Sequence, residues 1–309
     1  PSVETIEAVA QAHRRHGTTG LLPTLISDDF DTLRCAIEAV DAAIAAGVPG
    51  ILGIHVEGPF ISAERRGIHA ERFVRAPMEG ELALLARPWR GVTLVTLAPE
   101  AVPTGTIARL RAAGVVVAAG HSTADYAATR RALDEGLDGF THLFNAMTPF
   151  GSREPGMVGA ALEDRGSRFG IIVDGHHVHP ASLRVALAAR GLDEAMLVTD
   201  AMPPAGTAMA RFELQGRTIT VADAALRGDD GTLAGSALTM DLALRNAIGL
   251  LGLSLAEASR LASANPAAFL RMSARRGSIA PGMVADLVHL DEALTVRRVW
   301  IGGRLFDYR

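Results

Sequence analysis

Residues 115–142 read VVVAAGHSTADYAATRRALDEGLDGFTH, and this stretch decides the fold. Its opening run, Val115 to Gly120, is short, apolar and led by β-branched residues, as a strand buried on both faces should be. Residues 124–135 follow as an amphipathic helical segment, with Thr123 placed as an N-cap and Gly136 just past the end. A second strand at 139–142 completes a strand–helix–strand unit. A histidine stands at the C-terminal end of each of its strands, His121 and His142.

The same unit recurs on both sides. Strands are expected at 19–25, 51–57, 92–97, 169–174 and 195–200, and helices at 31–46, 104–113 and 180–190, with Gly47, Gly114 and Gly191 following the helix ends. Repeated alternation of this kind argues for a parallel sheet, and a closed (β/α)8 TIM-type barrel is the leading expectation. The pattern alone also allows a doubly wound sheet. Seven barrel-type strands precede Met202, whereas a barrel closes with eight, and the chain opens on a helix at 4–16. The first strand is therefore expected to precede Pro1. After Asp200 the pattern changes to a hairpin at 211–221, helices at 240–251 and 255–262, and short strands at 285–290, 296–301 and 304–306. The expected organisation is a hydrolase-type barrel over 1–275 and part of a small β-sandwich domain over 276–309.

Composition narrows the function classes. The 309 residues are 49% hydrophobic and 21% charged, enough apolar material for a large core. A net charge of −4 gives no electrostatic footprint for nucleic acid or an anionic membrane. No apolar run reaches the roughly 18 residues of a membrane span. The single cysteine, Cys35, rules out an internal disulfide framework and points to a reducing, cytoplasmic setting.

The placement of ionisable residues is the most informative feature. Glu57 ends the strand in His55-Val56-Glu57-Gly58-Pro59-Phe60; His121 and His142 end two others; His177 follows Asp174-Gly175; Asp200 ends Val198-Thr199-Asp200. In a parallel barrel all these ends open onto one face, where catalytic groups collect. Taken singly, each has a plainer explanation: a hydrogen-bonded core histidine, a turn cap at Asp200, a surface turn residue at Glu57. Five strands presenting such residues together point instead to a divalent metal held by three protein ligands with an open position. His13, His16, His55, His176, His179 and His289 lack that joint pattern and are assigned to structure.

At these residues a family resemblance appears. His55-Val56-Glu57-Gly58-Pro59-Phe60, Gly120-His121-Ser122, Thr141-His142-Leu143-Phe144-Asn145-Ala146-Met147, Asp174-Gly175-His176-His177-Val178 and Val198-Thr199-Asp200-Ala201 resemble the ordered motifs of the N-acetylglucosamine-6-phosphate deacetylases of the amidohydrolase superfamily. The resemblance covers nearly the whole chain, and its ending at 277–287 is similar to that superfamily's small β domain.

The resemblance implies that Glu57, His121 and His142 are direct ligands of one divalent metal, with zinc expected and iron, cobalt or manganese also suited to the donor set. It implies Asp200 as the catalytic acid/base and His69 as a group that binds the sugar or polarises the acetyl carbonyl. Asn145, Ala146, Arg153 and His177 would hold the phosphate of a phosphorylated amino sugar, with Arg153 reaching the neighbouring subunit of a homodimer. Leu233, Ala234 and Gly235 would line the acetyl pocket. Family members carry a further barrel strand before the region that begins here, which brings a Gln or His to the metal neighbourhood, so the natural gene product is expected to be longer. Two other readings stay open: a related amidohydrolase (an N-acetylgalactosamine-6-phosphate deacetylase, an acylamino-acid deacylase or a dihydroorotase-like enzyme), or a non-catalytic fragment acting as a binding module.

Overall fold

The computed structural model describes residues 1–222 and 225–308. Asp223, Ala224 and Arg309, the last residue of the expected 276–309 segment, lie outside the described residues. The chain divides into two compact units, one of residues 1–10 and 20–169, the other of residues 11–19 and 170 onward.

One parallel sheet is built from β1 (Thr24–Ile26), β2 (Gly53–Glu57), β3 (Val92–Leu97), β4 (Val116–Ala119), β5 (Gly139–Phe140), β6 (Arg168–Ile171) and β7 (Ala195–Leu197), with neighbours in strict chain order. The pairings from β1 to β6 are all parallel. A doubly wound sheet reverses its order at a switch point. Here each strand sits beside the next from first to last, so the winding is that of a (β/α)8 barrel, with seven of its strands among the described residues. Helices α1 (Val3–Arg14), α2 (Phe30–Ala45), α3 (Glu79–Leu85), α4 (Thr106–Ala112), α5 (Tyr126–Asp134), α6 (Gly156–Glu163) and α7 (Pro180–Arg190) alternate with the strands.

Burial follows the composition. Every residue of β4 and β7 is buried, and Val56, Val95, Leu97 and Val117 have no exposed surface. In α2 the buried positions Leu33, Ala36, Ile37, Val40 and Ala43 form one helical stripe. At Gly53 a Cβ would lie 1.9 Å from the Val92 carbonyl oxygen of β3. We expect Gly53→Ala to destabilise the protein by at least about 1–3 kcal/mol, because the neighbour it strikes is sheet backbone. Denaturant melts of the two proteins would measure this; an unchanged midpoint would mean that the strands part without cost.

Several boundaries differ from expectation, each for a local reason. Strand β1 covers Thr24–Ile26, not 19–25, with only an isolated Leu21–Ile51 bridge before it; Pro23 has no N–H for the ladder. Helix α5 starts at Tyr126, capped by Asp125, whose carboxylate accepts the Ala128 N–H at 2.7 Å. Thr123 does not cap it, because both its N–H and its hydroxyl donate to Glu100. Strands β5 and β7 stop two and three residues short of His142 and Asp200.

In the second unit, the expected 211–221 hairpin is a three-stranded antiparallel sheet of β8 (Arg211–Leu214), β9 (Arg217–Ala222) and β10 (Ala225–Gly228). Helices α8 (Met240–Leu251), α9 (Leu255–Ala262) and α10 (Ala264–Phe269) follow. The chain ends in a second antiparallel sheet of β11 (Leu287–Leu290), β12 (Val296–Ile301) and β13 (Arg304–Asp307), packed around Val296, Val299 and Ile301. Among the described residues, no helix is long and apolar enough to cross a membrane.

Candidate metal centre and active-site residues

Glu57 is the last residue of β2, while His121 and His142 stand two residues past β4 and β5. Because the strands are parallel neighbours, their C-terminal ends bring these three buried side chains to one place. Glu57 Oε1 lies 3.1 Å from His121 Nε2 and 3.0 Å from His142 Nε2, and the two nitrogens are 3.1 Å apart. A tetrahedral set of N and O ligands roughly 2.0–2.1 Å from a metal has edges of about 3.3–3.4 Å, so the observed triangle is a slightly contracted version of such a set.

The protonation chemistry fits the same purpose. His121 Nδ1 faces the Arg65 carbonyl oxygen at 2.9 Å, and a carbonyl can only accept. Nδ1 therefore carries a proton, so a metal-bound ring would be neutral and present its Nε2 lone pair beside Glu57 and His142. Burial pushes the Glu57 carboxyl upward, but the hydrogen bonds and positive charge of His121 and His142 outweigh it and hold the group well below the usual carboxylate range. A carboxylate and lone-pair nitrogens packed this closely repel one another unless a cation or a proton lies between them, so the donor set fits a divalent metal.

The backbone here is strained. His121 (φ 50°), His142 (φ 33°), Phe144 (φ 79°), Ala146 (φ 50°) and Asp200 (φ 49°) all occupy left-handed conformations that non-glycine residues avoid. Such conformations turn the chain sharply as it leaves the sheet.

His69 joins the cluster, with one ring nitrogen within 4.8 Å of the ligating atoms of Glu57 and His121. It is 3% exposed, and burial, followed by the charge of His121, pushes its pKa down to about 3. The ring is therefore neutral at physiological pH. Its Nδ1 accepts the main-chain N–H of Ser27 at 3.2 Å and lies 2.8 Å from the Ser27 hydroxyl.

Supporting groups that the sequence reading passed over surround these residues. Glu100, just past β3, accepts the Ser122 hydroxyl at 2.7 Å and the Thr123 N–H at 2.5 Å, holding the loop that carries His121. His55, assigned to structure, is half-buried beside Thr96, whose hydroxyl is 2.7 Å from His55 Nε2 and 2.6 Å from the Thr141 hydroxyl. The signal for Glu100 was available: it is a carboxylate at the C-terminal end of a barrel strand.

Asn145 and Ala146 follow His142 in the same unit. The Asn145 N–H donates to the His142 carbonyl at 3.0 Å, while the Ala146 carbonyl accepts the Ser122 N–H at 2.9 Å. Arg153 is exposed on the loop between β5 and α6.

In the second unit, Asp200 sits against the 233–235 segment. Its carbonyl accepts the Ser236 N–H at 2.8 Å, and a Cβ on Gly235 (φ 64°) would lie 2.8 Å from that same oxygen. Leu233 bridges Arg227, and the Ala234 N–H donates to the Leu226 carbonyl. His177 Nδ1 is 2.6 Å from Asp174 Oδ2, whose other oxygen accepts the His176 and His177 N–H groups. Burial raises the Asp174 carboxyl, but His177 and these amides lower it further, and the net shift is downward. The structure thus gathers Glu57, His69, His121 and His142 in one unit, and Asp200 with Gly235, and Asp174 with His177, in the other.

Comparison with known proteins agrees with this architecture. Residues 2–306 match the Amidohydrolase family. The chain is 45% identical over 305 residues to an N-acetylgalactosamine-6-phosphate deacetylase of Shewanella sp. (strain ANA-3), covering 99% of this chain and 77% of that protein. It is 38% identical to the N-acetylglucosamine-6-phosphate deacetylase of Danio rerio, covering 97% of this chain and 76% of the relative. The crystal structure of N-acetylglucosamine-6-phosphate deacetylase from Pasteurella multocida superposes with a TM-score of 0.96 at 33% identity, over 99% of this chain and 81% of that one. Sequence, strand order and these relatives agree: the chain belongs to the amidohydrolase family, among its N-acetylhexosamine-6-phosphate deacetylases.

Proposed function

We propose that the protein hydrolyses the acetamide of N-acetylglucosamine 6-phosphate to glucosamine 6-phosphate and acetate. The observation that carries this reading is the convergence of Glu57, His121 and His142 at the ends of three adjacent parallel strands. These residues would hold one divalent metal, for which we propose zinc. When bound, the metal supplies Lewis-acid polarisation of the amide carbonyl and lowers the pKa of water.

The chain's own residues account for the remaining steps. Asp200 accepts a proton from the attacking water and returns it to the nitrogen, so that the leaving group departs as an amine and not as an anion. His69 donates a hydrogen bond to the oxygen that gains charge as the carbonyl carbon becomes tetrahedral. Leu233, Ala234 and Gly235 enclose the acetyl methyl. Arg153, His177 and the Asn145-Ala146 backbone segment hold the phosphate and thereby position the amide. With the Asn145 N–H already donating to His142, the Ala146 N–H is the amide we assign to the anion. Further parts of the same proposal are a homodimer in which Arg153 reaches the neighbouring site, a cytoplasmic location, and a division into a catalytic barrel over 1–275 and a small β domain over 276–309.

The 45% identical Shewanella relative favours a second reading, in which the galacto epimer is the substrate. Metal analysis of the purified protein, with deacetylation of both 6-phosphates measured side by side, tests both. A metal-loaded protein that cleaves neither substrate would sink the proposal, and the ratio of the two kcat/KM values assigns the epimer.

Removing Arg153 separates a phosphosugar from other amides. It takes away a charge-assisted contact to a dianion, and we expect Arg153→Ala to lower kcat/KM for the phosphorylated substrate by about 1.5–3 kcal/mol, roughly ten- to a hundredfold. Turnover of unphosphorylated N-acetylglucosamine should already be poor and should barely change. Equal losses on both sugars would make Arg153 structural and remove it from the phosphate site.

A further inference from the structure

We propose that Ser27 is the positioning residue for His69: its main-chain N–H and hydroxyl both engage Nδ1, which fixes the ring proton on Nε2 and makes His69 a hydrogen-bond donor and not a metal ligand. The inference rests on the deacetylase reading for its consequence in catalysis, and on geometry alone for the tautomer.

His69 poses a choice that distance does not resolve. A ring nitrogen within 4.8 Å of the Glu57 and His121 ligating atoms belongs to a residue that could join them on a cation, or to one that faces the substrate from beside it. The two roles need opposite protonation. A histidine bound to metal through Nε2 has no proton there, so a neutral ring carries it on Nδ1. A histidine that donates to a developing oxyanion from Nε2 must leave Nδ1 bare.

Ser27 decides between them. An amide N–H only donates, and that of Ser27 is directed at His69 Nδ1 from 3.2 Å. A proton on Nδ1 would point at the amide proton, so the metal-ligand tautomer loses a hydrogen bond and gains a repulsion in a site where Ser27 is 0% and His69 3% exposed. The Ser27 hydroxyl stands 2.8 Å from the same nitrogen and reinforces the choice by donating as well. His121 shows the converse arrangement close by: its Nδ1 faces a carbonyl, which demands the proton on Nδ1 and leaves Nε2 as a lone pair. One neighbouring backbone group, a carbonyl in one case and an amide in the other, thus gives two adjacent imidazoles opposite tasks.

The surroundings are shaped for this contact. A Cβ at Gly58 would lie 2.2 Å from the Ser27 hydroxyl oxygen and 3.6 Å from His69 Nδ1. Gly58 has φ 80°, and only a glycine leaves both the turn and the space that bring Ser27 onto the ring. From the other side, the Arg75 guanidinium donates to the Asp28 carbonyl at 2.9 Å and pairs with the buried Glu81, tying the residue after Ser27 to the loop that bears His69.

The test reads the ring directly. The full chain, labelled with 15N-histidine, is studied by long-range 1H–15N NMR before and after addition of zinc, with His69→Gln used to assign the signals. We expect His69 to show a bare Nδ1 and a protonated Nε2 in both states, while His121 Nε2 shifts on adding zinc. A protonated Nδ1, or a zinc-dependent displacement of the His69 nitrogens, would overturn the proposal. Ser27→Ala keeps the amide and removes the hydroxyl. It should keep the tautomer and the zinc content, lower kcat by about tenfold as the donor loses part of its anchorage, and leave KM within about twofold. Unchanged kcat in this variant would remove Ser27 from the positioning role. A wild-type protein with the expected tautomer but no deacetylase activity would count against the proposed reaction and leave the tautomer standing.

Discussion

Asp200→Asn should lower kcat by about two to four orders of magnitude on phosphorylated and unphosphorylated substrates alike, while metal content stays at the wild-type level. Asparagine preserves shape and hydrogen-bonding reach but can neither take a proton from water nor return one to a departing amine. The backbone at this position already sits at φ 49°, a region that asparagine tolerates at least as well as aspartate, so the fold should be retained. Unequal losses on the two substrates would indicate that Asp200 grips the sugar. Loss of the metal would indicate that it is a ligand. Either outcome would displace it from proton transfer.

The second large effect should come from Glu57→Gln. The carboxylate oxygen lies 3.0–3.1 Å from both imidazole nitrogens and supplies the only negative charge that the cluster of Glu57, His69, His121 and His142 contains. Loss of a group that merely supports a ligand typically weakens metal binding ten- to a hundredfold. Loss of the anionic ligand itself should exceed about a hundredfold, leaving dialysed protein metal-free and inactive. Elemental analysis after dialysis, with activity on zinc re-addition, measures this, and a variant that retains stoichiometric metal would break the assignment.

Much of this was legible in the sequence because barrel strands advertise themselves. Short apolar runs at regular spacing located all seven strands, and an ionisable residue at a strand's C-terminal end pointed to the shared face. His142 and Asp200 looked like strand residues and are not, because left-handed φ values leave no trace in composition. Thr123 looked like a helix cap because Thr commonly is one; only the fold brings Glu100 to compete for it. Ser27 was invisible for a related reason: its importance lies in a main-chain N–H aimed at a residue 42 positions away, and every residue but proline has such a group. His55 lacks a strand-end position, and its threonine partners Thr24 and Thr96 come from two other strands, with Thr141 behind Thr96, a pattern that no local window contains.

The left-handed residues at the strand ends have a consequence for anyone who would engineer this protein. Relieving them is the obvious route to higher thermal tolerance: glycine at 121, 142 or 200 would remove about 1–3 kcal/mol of conformational cost apiece. Each such gain would delete a side chain for which a metal-binding or proton-transfer role is proposed, so on that proposal a screen that selects for melting temperature alone would drift toward well-folded proteins without activity. Durable improvement has to come from elsewhere, such as the surfaces of α2 or α5, where a substitution touches no strand end.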